Sequence, residues 1–131
     1  MANLTSLNLN GNFVKNEGTV TTQSGTTVVI DLETGTNFEV SMDNISGPIT
    51  TFTINMLSGW PAGYISSFIL QCTQASTSRD FAWAALTAIK WPGGGAGAPT
   101  MTGTDNKIDI YSFTSWDDGS TWYGKIIGQN F

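Results

Sequence analysis

The chain has no histidine and only one cysteine, Cys72. Without histidine there is no imidazole-based triad and no imidazole zinc site, and the side chain that usually moves protons near neutral pH is missing. A lone cysteine cannot form an internal disulfide, and Cys72 lies in the strand-like run Phe68-Ile69-Leu70-Gln71-Cys72, where a buried, inert thiol is expected. Basic residues are equally scarce. The five are Lys15, Arg79, Lys90, Lys107 and Lys125, each isolated, and the formal net charge is −5. The electrostatic attraction that dominates nucleic-acid binding therefore has no source, and anionic membranes are not attracted. No apolar run reaches the roughly 18 residues of a membrane-spanning helix. The start, Met1-Ala2-Asn3-Leu4-Thr5, has no basic region followed by an apolar core, so synthesis in a cytoplasm is expected. In that setting the acceptor patterns Asn3-Leu4-Thr5 and Asn44-Ile45-Ser46 are read as incidental.

Charged residues make up 11% of the chain, against about a quarter in ordinary domains. Hydrophobic residues make up 40%, enough for a core, so the low charge does not signal disorder. The polar surface is instead Thr, Ser, Asn and Gly, a composition suited to strands and tight turns.

Alternation supports that reading along the whole chain. Leu7, Leu9 and Phe13 alternate with asparagines as a first strand. Further strands are expected over 19–22, 26–32, 37–42, 49–56, 64–73, 81–85, 88–91, 107–113 and 121–127. The 64–73 run is apolar on both sides and is placed centrally in a sheet. Gly, Pro and Asx clusters separate these runs, including Asp43 to Pro48, the long loop Pro92 to Pro99, and the hairpin connection Trp116 to Ser120. Roughly eight to ten short strands at this spacing define an all-β fold, an antiparallel, jelly-roll-like β-sandwich. Residues 1–25 form an N-terminal arm with the first strands, and residues 26–131 form the sandwich.

Chemistry-bearing motifs are few. No phosphate loop, dinucleotide fingerprint or cysteine cluster occurs, and no cofactor or metal is expected. Asp109, Asp117 and Asp118 are the candidates for a carboxylate pair acting on a glycosidic bond. The simpler reading of Asp117-Asp118-Gly119 is a turn, and no complete oxygen-ligand loop for calcium surrounds it. No catalytic residue is assigned. Five tryptophans are many for this length. Trp83 and Trp122 lie in strand-like runs and are read as core. Trp60, Trp91 and Trp116 lie beside loops and are candidate contacts to a partner or glycan.

One ordered set of segments resembles a known family. It runs Ile89-Lys90-Trp91-Pro92-Gly93-Gly94, Ala98-Pro99-Thr100, Asn106 to Phe113, Asp118-Gly119-Ser120-Thr121-Trp122-Tyr123-Gly124, and Gly128-Gln129-Asn130-Phe131. With Val29 to Leu32 and Gly35 to Phe38 upstream, this resembles a β-rich virion surface domain found in tail-fibre and related structural proteins of tailed bacteriophages. The resemblance covers about residues 26–131. It implies a non-enzymatic β-sandwich module on the virion surface, with self-association, preferably as a homotrimer. It identifies no active site. The residues ahead of it include no long shaft or coiled coil. A free-standing copy would fit an outer capsid decoration (cement) protein bound to the major capsid protein. The alternative is a tail-fibre or tail-tip module in contact with tail proteins and a host surface glycan. In the first case Leu4, Leu7, Leu9 and Phe13 form the candidate anchoring arm.

Overall fold

The computed structural model describes residues 17–59 and 62–131. The expected strand at Leu7 to Phe13, the candidate anchors Leu4, Leu7, Leu9 and Phe13, and the candidate contact Trp60 lie outside the described residues. Eight strands are present among those described: β1 (Thr19–Ser24), β2 (Thr27–Asp31), β3 (Asn37–Ser41), β4 (Thr51–Asn55), β5 (Ser66–Thr73), β6 (Ile89–Lys90), β7 (Ile108–Ser115) and β8 (Trp122–Gly128). They form two sheets, of order β1-β2-β4 and β3-β5-β7-β8-β6. No helix among the described residues is long and apolar enough to cross a membrane.

Alternation decides which side chains go inside. Val28 and Ile30 of β2, Phe38 and Val40 of β3, and Phe68, Leu70 and Cys72 of β5 are buried, while their neighbours face outward. The two inner faces share one core. Phe68 stacks on Phe113 with centroids 5.0 Å apart, and Trp122 meets Phe68 edge-on at 5.0 Å. Trp83 and Trp122 are thus core residues, as the strand-like runs suggested. On β7 the inward set is Asp109, Tyr111, Phe113 and Ser115, and the isoleucines Ile108 and Ile110 take the other face.

Two features differ from the expectation. Pairing is mixed rather than wholly antiparallel: β2–β4, β3–β5 and β6–β8 are parallel. A parallel pair needs a crossover, usually a helix. Here a strand of the opposite sheet supplies it, since β3 lies between β2 and β4 in sequence and β4 lies between β3 and β5. The chain therefore winds around the core from layer to layer. Along one side β1 also holds on to β3, where the Gln23 side-chain oxygen accepts the Ser41 N–H at 2.9 Å and the Asn37 carbonyl accepts the Gly18 N–H at 2.7 Å.

The second difference is the 81–85 run, expected as a strand. Phe81 makes only an isolated bridge to Ile49, and Trp83–Ala85 is a 3-10 turn. The buried residues are Phe81, Trp83 and Leu86, a spacing that a period of two cannot place on one face. The turn stacks Trp83 on Phe81 at 4.4 Å and lets its indole N–H donate to the Pro99 carbonyl at 2.9 Å.

Candidate binding surfaces

Asp109 lies far from the other two candidate carboxylates. It lies near the start of β7, while Asp117 and Asp118 follow the strand's last residue, Ser115. Six residues of extended chain separate Asp109 from Ser115, about 20 Å. Paired glycosidase carboxylates stand about 5–9.5 Å apart. Asp109 is fully buried. It accepts the Thr102 N–H at 2.7 Å, the Tyr111 hydroxyl at 3.1 Å, the Gln129 amide at 2.9 Å and the Asn130 N–H at 2.9 Å. Burial pushes its pKa up, but the hydrogen bonds led by Thr102 and Asn130 outweigh it and hold the carboxyl below its ordinary value. This anion ties the 98–104 loop and the C-terminal Gln129-Asn130 to β7.

Asp117 and Asp118 serve the β7–β8 turn. Asp117 accepts the Thr121 N–H at 2.8 Å and the Ser115 hydroxyl at 2.9 Å, and the Thr121 bond leads in lowering its pKa. Asp118 and Gly119 have φ of 57° and 86°, the left-handed pair that an Asp-Gly hairpin turn needs. Among the described residues no three His, Cys, Asp or Glu side chains converge on a metal-sized site.

The tryptophans read as contacts divide. Trp116 is 66% exposed at the end of β7. Trp91 is buried, which corrects its reading as a partner or glycan contact. Its ring packs between Trp83 at 4.8 Å and Phe113 at 5.7 Å and covers Gly124. Its position beside the glycine-rich loop suggested exposure, but that loop folds as the 3-10 turn Gly94–Gly97 and the preceding ring turns inward.

A cleft of about 440 Å³ opens at the sandwich end that carries Trp116. Its apolar wall is Leu32, Met56 and Leu57. The other wall carries Ser66, Ser67 and Asp118, and Tyr64 stands at its edge, half exposed. Ser66 pairs with Ser115, so Ile65 and Trp116 extend the two neighbouring strands at this same end. Two carboxylates hold backbone groups beside the cleft. Glu33 accepts both the N–H and the hydroxyl of Ser58, which lowers its pKa, the hydroxyl contributing most. Asp118 accepts the Gly63 N–H at 3.0 Å. The sequence did not single out Tyr64, Ser66 or the cleft, because the cleft joins turns that lie far apart in the chain.

The second surface is the outer face of the five-stranded sheet. Strand β5 lies inside that sheet, as expected, but none of the described residues covers its outward face, and Ile69 is exposed. Register places Ile69 beside Ser112, Ile110 beside Gln71, and Tyr123 beside Thr114. Charge on this face is sparse but not confined to its rim: Glu39 pairs with Gln71, Lys125 with Ser112 and Lys90 with Tyr123. Apolar side chains among polar ones with few charges suit a protein interface.

Comparison of the chain with protein-family models, with curated proteins and with solved structures returned no match.

Proposed function

We propose that the chain is a non-enzymatic structural protein on the surface of a tailed-bacteriophage particle, an outer decoration (cement) protein that stabilises the shell. The observation that carries this reading is the outer face of the five-stranded sheet, which none of the described residues covers, with Ile69, Ile110 and Tyr123 amid hydroxyl and amide side chains and few charges. A static assembly needs shape-matched, weakly charged area of this kind. The ordered segments from Ile89 to Phe131 that resemble virion surface domains add the particle and favour a trimer. The partner under this reading is the major capsid protein, and the N-terminal arm with Leu4, Leu7, Leu9 and Phe13 is the clamp. Imaging of the intact particle tests it. Hundreds of copies on the head lattice with the Ile69 face covered are expected, and absence of the chain from purified heads refutes it.

A second reading has its own observation. The cleft and the exposed rings of Tyr64 and Trp116 gather at one end of the sandwich, an arrangement suited to a tail-fibre or tail-tip module that contacts a host surface glycan. A few copies at the tail, rather than many on the head, is its signature in the same images.

A further inference from the structure

We infer that the cleft between Leu32, Met56, Tyr64 and Asp118 is a binding site for a neutral sugar ring; the inference rests on the glycan-contact reading and gives it a place and a ligand chemistry. The cleft's volume of about 440 Å³ lies within the roughly 300–1,000 Å³ of small-molecule sites.

Its walls differ in kind. Leu32, Met56 and Leu57 offer an apolar surface to a ring's C–H face. Ser66 and Asp118, which also line the cleft, offer hydrogen-bonding groups to its hydroxyls. Among the described residues the Asp118 carboxylate receives one donor, the Gly63 N–H, shared at 3.0 and 3.3 Å between its oxygens. A carboxylate has about four acceptor positions, so Asp118 retains capacity for two vicinal hydroxyls, each bond strengthened by its charge. The exposed ring of Tyr64 at the cleft edge, with Trp116 at the same end, provides flat surfaces for a second sugar.

Charge sets the selectivity. Among the described residues no Lys or Arg lines the cleft, and Asp118 lies in its wall. Glu33 and Asp117 belong to the adjoining turns. An acidic sugar would bring a like charge against them, whereas a neutral one would not.

Saturation-transfer NMR on the full chain tests this, with lactose, cellobiose, chitobiose and methyl rhamnoside as neutral probes, galacturonic acid as the anionic probe, and choline as the cationic one. Saturable binding of at least one neutral sugar is expected, with none of galacturonic acid or choline. Asp118→Asn keeps an oxygen for Gly63 and the turn intact but removes the charge, and weakens binding about tenfold or more. Trp116→Ala, at an exposed position, weakens the disaccharides more than the monosaccharide. If no neutral probe saturates, or if galacturonic acid or choline binds better, the inference falls and takes the glycan reading with it. If a neutral sugar binds equally well to both variants, the glycan reading stands and the assignment to this cleft is overturned.

Discussion

Gly124 on β8 is a sharply defined packing constraint in the core. A methyl group added there would lie 2.7, 2.8 and 2.9 Å from three carbons of the Trp91 ring. Carbon atoms pack at about 3.5–4.0 Å, so the ring would have to move by close to 1 Å. It has nowhere to go, because Trp83, Phe113 and Tyr111 hold it at centroid distances of 4.8, 5.7 and 6.0 Å. Overpacking of this type costs about 1–3 kcal/mol. For a domain of this size that lowers the Tm by roughly 4–12 °C. Gly124→Ala is therefore expected to melt earlier in calorimetry with its β-sheet circular dichroism unchanged. The three crowded carbons belong to the six-membered ring of the indole, which Trp91→Phe removes along with a buried indole N–H that has no hydrogen-bond partner. The two substitutions should thus couple, with the double variant more stable than the sum of the singles predicts by about 1 kcal/mol or more. A cost below about 0.5 kcal/mol for Gly124→Ala, or strict additivity in the cycle, would refute the reasoning.

Asp109→Ala leaves the Thr102 and Asn130 N–H groups, the Gln129 amide and the Tyr111 hydroxyl without their acceptor, and should cost about 3–5 kcal/mol in urea unfolding; a loss under about 1 kcal/mol would contradict its role as the clamp of the C-terminus. The two neighbouring acids respond to pH with opposite sign. Asp109 has a lowered folded pKa, so its contribution is present above the ordinary aspartate value near 3.8 and is lost as the pH falls through the lowered one. Asp80, whose pKa is raised mainly by burial, favours the fold below about 3.8 and loses that contribution as the pH rises through its raised value. Asp80→Asn can keep the acceptor for Phe81 and Met101 and should therefore stabilise the chain at pH 7 but not at pH 3, as read by Tm at the two pH values. Cys72 is fully buried, and desolvation, then the charges of Asp109 and Asp80, push its pKa up. Iodoacetamide should label it only as fast as the chain unfolds, and rapid labelling of the native protein would show an opening that the core packing does not allow.

Much of the fold was legible because period-two patterning is local. The runs from Thr26, Asn37, Lys107 and Thr121 became β2, β3, β7 and β8 with shifts of a residue or two. The Asp-Gly turn was readable for the same reason, since both left-handed residues are neighbours. Strand partnership was not readable, because it depends on which layer each run joins. The 81–85 run fitted either a strand or one helical turn, and its shortness and lack of a helix cap favoured the strand; the structure forms the turn, with Ala85 exposed and Leu86 buried. Trp91 misled for a different reason: its glycine neighbours marked a loop, but the same glycines allow the loop to fold away and leave the ring inside. The cleft needed Leu32, Met56, Tyr64 and Asp118 brought together from four turns, which no local pattern encodes. Of the residues that line it, only Asp118 stood out in the sequence, and as a turn residue.

The layer-to-layer winding of β2, β3, β4 and β5 bears on how the molecule comes apart. β4 cannot dock on β2 until β3 has crossed to the far side of the core, and β5 cannot dock on β3 until β4 has crossed back. Neither sheet is then an independent foldon. Amide exchange in β2, a strand of the smaller sheet, should report the same opening free energy as exchange in β5 of the larger one, because the two sheets are laid down as one spool and must be unwound together.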